Sequence, residues 1–238
     1  MERPGDRRDA PCRCGLRHRS RLRAGEGARS SGNSRLSSHR ILRAATRHQT
    51  PWRNGGGMTT EVATFPPGAG MDDFVWRVSI AEVREAGPFS DFPGIDRTLS
   101  VLEGTLSLAV ADMPEQRLDA AAAPFAFPAD VLAWGAPIDG AVRDLNVMVR
   151  RGHCTAAVER LPVGTAPVGG GTATWLMIVA TGDATVAHDT GIETLARFDA
   201  ILFEGPIPEA ITVGSDLPSF AIRLQGLSAL IDIDNRSQ

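Results

Sequence analysis

A chain of 238 residues with 42% apolar content and a formal net charge of −3 has the length and composition of a globular protein with a buried core. The charge is divided unevenly: residues 1–57 carry 14 arginines against 4 acids and residues 58–238 carry 11 against 24, so the acidic body excludes a basic nucleic-acid interface. Three cysteines exclude a disulfide framework, and no apolar run reaches the roughly 20 residues needed to cross a bilayer.

Residues 1–40 read as a disordered arginine-rich extension, or as a segment translated from a start codon placed too early, because Gly, Ser and Pro interrupt any helical period. Cys12, Cys14 and His18 supply too few ligands for a structural zinc site, and no apolar stretch follows Arg7 and Arg8 to make a secretion signal. The expected compartment is the cytoplasm.

From Ile41 the texture becomes short strand-like runs punctuated by Pro, Gly and Asp. The triple glycine Gly55–Gly57 follows Trp52 and Asn54 and leads into a strand bearing Thr59 and Glu61; it reads as a hinge that bends the chain sharply. In Phe74–Ile80, Phe74, Trp76, Val78 and Ile80 alternate with Val75, Arg77 and Ser79, which assigns opposite faces to the two sets. Further strands are expected at Arg97–Gly104, Thr105–Val110, Pro124–Phe127, Val142–Val149, Thr174–Ala180, Leu195–Glu204 and Pro218–Gly226. The stretch SVLEGTLSLAV followed by PFAFPADVLAWG has a faint echo in MIVATGDATVAHD followed by TLARFDAILFEG. The pattern predicts an all-β chain of two jelly-roll units, at 41–161 and 172–238, joined by a Gly/Pro-rich linker at 162–171.

PWRNGGG, TTEVA, WRVSIAEV, GPFSDFPGIDRTLSVLEG, PFAFPAD and VRDLNVM, in this order, resemble the motifs of the HutD/Ves family of small bacterial proteins. That resemblance implies a double cupin and a link to histidine utilisation or stress response. It also leaves the residues before Ile41 without a counterpart. One departure is Ala129, where the family usually has glycine.

Metal-dependent cupins use a His-x-His pair, a following Glu and a later His. This chain lacks that set, and Arg97 cannot coordinate. His153 and His188 read as isolated loop or turn residues, so neither metal nor cofactor is expected. Thr59 with Glu61, Arg77 with Ser79, and Asp144 with Asn146 each project two polar groups from one strand face, while Asp96 and Arg97 sit on the turn entering another strand. Together with Asn54 these residues predict a shared polar cavity for a small metabolite such as an amino-acid derivative, with arginine gripping its carboxylate. The same residues could equally form a structural ion-pair network, with Asp144 paired to Arg143 or Arg77. The expected function is metal-independent binding that senses or buffers a metabolite of histidine or related amino-acid catabolism, without nucleic-acid or membrane partners and with a homodimer possible. The alternative is a metal-independent isomerase or hydrolase with Glu61 or Asp144 as general base and Arg97 as its partner.

Overall fold

The structure, a computed structural model, describes residues 38–227. Apart from one 3-10 turn at Ala44–Thr46, every regular element in this span is a strand. In chain order these are β1 (Ser38–Leu42), β2 (Gln49–Pro51), β3 (Gly57–Phe65), β4 (Trp76–Val83), β5 (Gly87–Pro88), β6 (Ile95–Val110), β7 (Gln116–Asp119), β8 (Phe125–Pro128) and β9 (Ala133–Arg150). The series continues with β10 (Cys154–Leu161), β11 (Gly164–Val168), β12 (Trp175–Val179), β13 (Ala184–His188), β14 (Gly191–Leu195), β15 (Ala200–Glu204), β16 (Ile211–Ser215) and β17 (Ser219–Gly226). The chain is an all-β double cupin. The first unit is one sheet ordered β2-β3-β4-β9-β6-β7, with β5 added to β9 and β8 to β6; the second is a pair of sheets, β1-β15-β12-β17-β10 and β11-β16-β13-β14.

Strand alternation sorts the apolar residues into layers. Trp76, Val78 and Ile80 of β4 and Leu145, Val147 and Val149 of β9 share a cluster with Trp175, Met177 and Val179 of β12, which joins the two units. The intervening residues Leu176 and Ile178 face the other way, into the interior of the second unit with Val186 and Val213. Both faces of β12 are thus covered, which is why Trp175–Val179 reads as a continuous apolar run. The opposite face of the first-unit sheet encloses Leu99, Val101, Leu106, Leu108 and Phe127.

Three boundaries differ from the sequence reading. The first strand starts at Ser38, inside the span read as an extension, because β1 pairs with β15 and sets His39 opposite Phe203 and Ile41 opposite Ile201. Residues 162–171 are not a linker: β11 pairs with β16, buries Ala166 and Val168, and accommodates Pro167 because it is the edge strand of its sheet. β10, placed by sequence in the first unit, pairs along its whole length with β17 of the second. Elsewhere Gly104, at φ +81°, marks an irregularity inside one long strand, β6, where the sequence suggested a turn between two. Conversely, Leu195–Glu204 divides into β14 and β15, with Phe198 at φ +65° between them.

The triple glycine does two separate jobs. Gly55 adopts φ +75° in a turn closed by its own N–H donating to the Trp52 carbonyl at 3.0 Å. At Gly57 the constraint is space, since a Cβ there would stand 2.5 Å from the Glu82 carbonyl oxygen and 2.8 Å from the Trp52 ring. A Cβ on Gly56 would meet only ordinary contacts at 3.5 Å and beyond. Chemical denaturation should therefore rank the alanine variants: Gly56→Ala close to neutral, Gly55→Ala costing about 1 kcal/mol, and Gly57→Ala costing most, roughly 2 kcal/mol or more. Equal costs at all three positions would refute this division.

Candidate functional site

Cross-strand register brings the predicted polar residues together. Ser79 of β4 lies between Glu61 of β3 and Asn146 of β9, while Ala81 lies between Thr59 and Asp144. Arg77 stands opposite Met148, which stands opposite Arg97 of β6. Directly opposed residues share a face. Thr59, Glu61, Arg77, Ser79, Arg97, Asp144 and Asn146 consequently all lie on the inner face of the first-unit sheet.

The cluster has a braced rim and an uncompensated centre. At the rim, Arg77 Nε donates to Glu61 Oε2 at 2.9 Å and its Nη1 to Ser79 Oγ at 3.4 Å, with the Glu61 side chain 43% exposed. Deeper in, Asp144 is wholly buried and Arg97 is 4% exposed. Asn146 Nδ2 donates to Asp144 Oδ1 at 2.6 Å, but among the described residues no carboxylate lies within 4.0 Å of the Arg97 guanidinium. Arg97 Nε, Asp144 Oδ2 and Asn146 Oδ1 are buried without a hydrogen-bond partner among the described residues. Three phenylalanines wall the guanidinium instead: its central carbon lies 5.1 Å from the ring centre of Phe89, 5.5 Å from Phe92 and 5.7 Å from Phe127. These cation–π contacts compensate part of the lost hydration, yet supply no hydrogen-bond acceptor.

Burial governs the protonation of this pair. It pushes the Asp144 carboxyl up to about 7, against the opposing pull of Arg97 and the Asn146 hydrogen bond. It also lowers the Arg97 guanidinium to about 10, with Asp144 opposing the shift and Arg77 adding to it. With Asp144 protonated, the centre is a buried cation lined by aromatic rings and short of acceptors. Such a centre suits an anion with two coplanar oxygens.

The aromatic wall was missed in the sequence. Phe89 and Phe92 belong to GPFSDFPG, and their N–H groups donate to the carbonyls of Ala133 and Ala129, both at 2.9 Å, so the segment is tied across the sheet in front of Arg97. Its two phenylalanines, eight and five residues before the arginine, were the available signal. Ala129 fits the turn because its φ is not positive and its side chain packs with Phe74, Ile95 and Met148.

Two predicted residues lie elsewhere. Asp96 follows the alternation to the other face of β6, where Arg151 bridges it at 2.8 Å to Asp130 at 3.0 Å. Asn54 is exposed, and its Oδ1 accepts from the Gly56 N–H at 3.1 Å within its own loop. Thr59 shares the site face but its hydroxyl accepts from Trp52 Nε1 at 2.8 Å, anchoring the glycine turn. Arg143 faces away from Asp144 and pairs with Glu82 and Glu103. His188 is not an isolated loop residue: it ends β13, its side chain is 1% exposed, and its ring packs 4.6 Å from that of His39. Two clefts, of about 570 Å³ beside Arg43, Thr185 and Asp216 and about 170 Å³ beside Arg47, Arg143 and Phe198, include none of the nine predicted residues.

No helix among the described residues is long and apolar enough to cross a membrane. Residues 44–217 match the HutD family. An uncharacterized 21.2 kDa protein in the hutC 3' region of Pseudomonas putida is 33% identical over 175 residues, covering 71% of this chain and 89% of that protein. Protein Ves of Citrobacter koseri is 38% identical over 109 residues, 45% of this chain and 56% of its own length. The structure of HutD from Pseudomonas fluorescens SBW25, in a formate condition, superposes with a TM-score of 0.71 at 28% identity, covering 80% of this chain and all of that one. A family match over most of the chain, a relative similar along nearly its whole length and a shared tertiary structure converge on one statement: this chain belongs to the HutD family.

Proposed function

We propose that the first unit binds a small carboxylate-bearing metabolite without a metal, and that the protein senses or buffers an intermediate of histidine or related amino-acid catabolism. The observation that carries this reading is the buried Arg97 guanidinium, walled by Phe89, Phe92 and Phe127, which among the described residues has no carboxylate partner and leaves Nε unsatisfied. Leaving a buried charge uncompensated costs several kcal/mol, which a ligand carboxylate would recover through paired N–H···O bonds. Asp144 and Asn146 then offer polar atoms to the remainder of the ligand. The position of the P. putida relative beside hutC supports a search among amino-acid catabolites.

A second reading is favoured by one feature. Asp144, held near 7, has the proton affinity of a general base at neutral pH, whereas Glu61 is engaged by Arg77 at the rim. If the site turns over its ligand, Asp144 is the proton acceptor and Arg97 stabilises the developing negative charge. Turnover that disappears in Asp144→Asn but survives in Glu61→Gln would select this reading over binding alone.

Formate and a panel of amino-acid carboxylates are the probes. A ligand at about 100 times its Kd adds roughly 2.7 kcal/mol, a rise in melting temperature of about 5–10 °C for a protein of this size. Arg97→Met, apolar and similar in length, should remain folded and show no such rise, and Arg97→Lys should bind at least about tenfold more weakly because the bidentate fork is lost. An unaltered rise in Arg97→Met would overturn the assignment.

The affinity should also depend on pH with a defined sign. Below about 7 the neutral Asp144 tolerates a second carboxylate; above it the ionised Asp144 competes for Arg97, and affinity falls by up to about tenfold per pH unit. Calorimetric titration should find this fall in the native protein and its loss in Asp144→Asn.

A further inference from the structure

The second unit has a polar cluster of its own. His188 stands two residues beyond Val186 on β13, and Glu193 on β14 is directly opposite Val186, so both side chains take the inward face that Val186 occupies. His39 on β1 is directly opposite Phe203, another inward-facing residue. β1 and β14 are the terminal strands of their respective sheets, so the three side chains meet where the edges of the two sheets approach.

Their geometry is that of ligands around a common point. One nitrogen or oxygen atom from each residue lies within 4.8 Å of those offered by the other two. His39 Nε2 is 3.4 Å from Glu193 Oε1, which matches the roughly 3.4 Å between donors bonded tetrahedrally at about 2.1 Å. His188 is oriented through its other ring nitrogen: Nδ1 lies 3.0 Å from Thr190 Oγ1 and 3.5 Å from Asp189 Oδ1. The Thr190 N–H also points at Nδ1, at 3.4 Å, so metal binding through Nε2 requires the Nδ1-protonated tautomer, with Thr190 Oγ1 as the acceptor of that proton. Nε2 is buried and, among the described residues, has no hydrogen-bond partner.

A simple His39–Glu193 contact accounts for two of the three groups and leaves His188 Nε2 unsatisfied. A shared ion accounts for all three. We propose that His39, His188 and Glu193 form a divalent transition-metal site that fastens β1 to the β13–β14 hairpin. Two imidazoles and one carboxylate select zinc, cobalt, nickel or copper over calcium or magnesium. His39 and Glu193 are 23% and 33% exposed, which gives the ion an entry path and leaves room for water in the remaining coordination position. The Phe203 ring, 5.6 Å from the His39 ring and 5.4 Å from that of His188, forms an apolar wall behind them. This site is separate from the Arg97 centre, and the expectation of a metal-free protein then applies to the first unit alone.

The test is titration of the full chain with Co²⁺, followed by visible absorption and calorimetry, in a Cys12→Ser, Cys14→Ser background that removes the competing thiols. One equivalent should bind, with Zn²⁺ displacing it and raising the melting temperature. His39→Gln, His188→Asn and Glu193→Gln should each weaken binding at least tenfold. The first and third alter partly exposed positions, so they remain informative if His188→Asn fails to fold. Absence of stoichiometric binding to the parent protein, or affinity unchanged in His39→Gln and Glu193→Gln, would overturn the proposal.

Discussion

The first unit is organised around a charge that its own side chains do not neutralise. An arginine 4% exposed, facing a wholly buried aspartate that is not within ion-pair distance, is an expensive arrangement in a low-dielectric interior. The phenylalanines around Arg97 reduce that cost without supplying an acceptor, and below about pH 7 protonation of Asp144 removes the second charge. A structural brace would be expected to bring the two charges into contact. Arg77 and Glu61 do make such a contact at the rim, so the same sheet face contains both a satisfied pair and an unsatisfied centre.

The fold can hold this centre because the apolar support is concentrated on the other side of the same strands. Trp76, Val78 and Ile80 pack into the core shared with the second unit, so alternate positions on β4 are available for Arg77 and Ser79. β9 repeats the arrangement with Leu145, Val147 and Val149 on the shared side and Asp144, Asn146 and Met148 on the other. β6 then places Arg97 against Met148. The five-stranded sheet of the second unit therefore forms the surface against which the first-unit sheet is held.

Period-2 alternation made the polar face legible in the sequence, since a strand that buries Trp76 and Val78 must turn Arg77 and Ser79 the other way. The pairing of separate strands was not legible, because register depends on contacts between residues distant in the chain. The same alternation separates Asp96 from Arg97, once both are placed within β6 and not on a turn. Edges were the least readable parts. β11 carries a proline and β1 lies in an arginine-rich stretch, so composition suggested a linker and an extension where the structure has edge strands. His188 looked isolated for the same reason, as its neighbour His39 is supplied by β1.

The most direct examination of the central claim is nuclear magnetic resonance of the Arg97 side chain during titration with a carboxylate ligand. A new acceptor at Arg97 should move its Nε–H proton resonance downfield and slow its exchange with water, with the Asp144 side chain perturbed in step. Saturation of the protein by ligand with the Arg97 Nε–H signal unmoved would contradict the account.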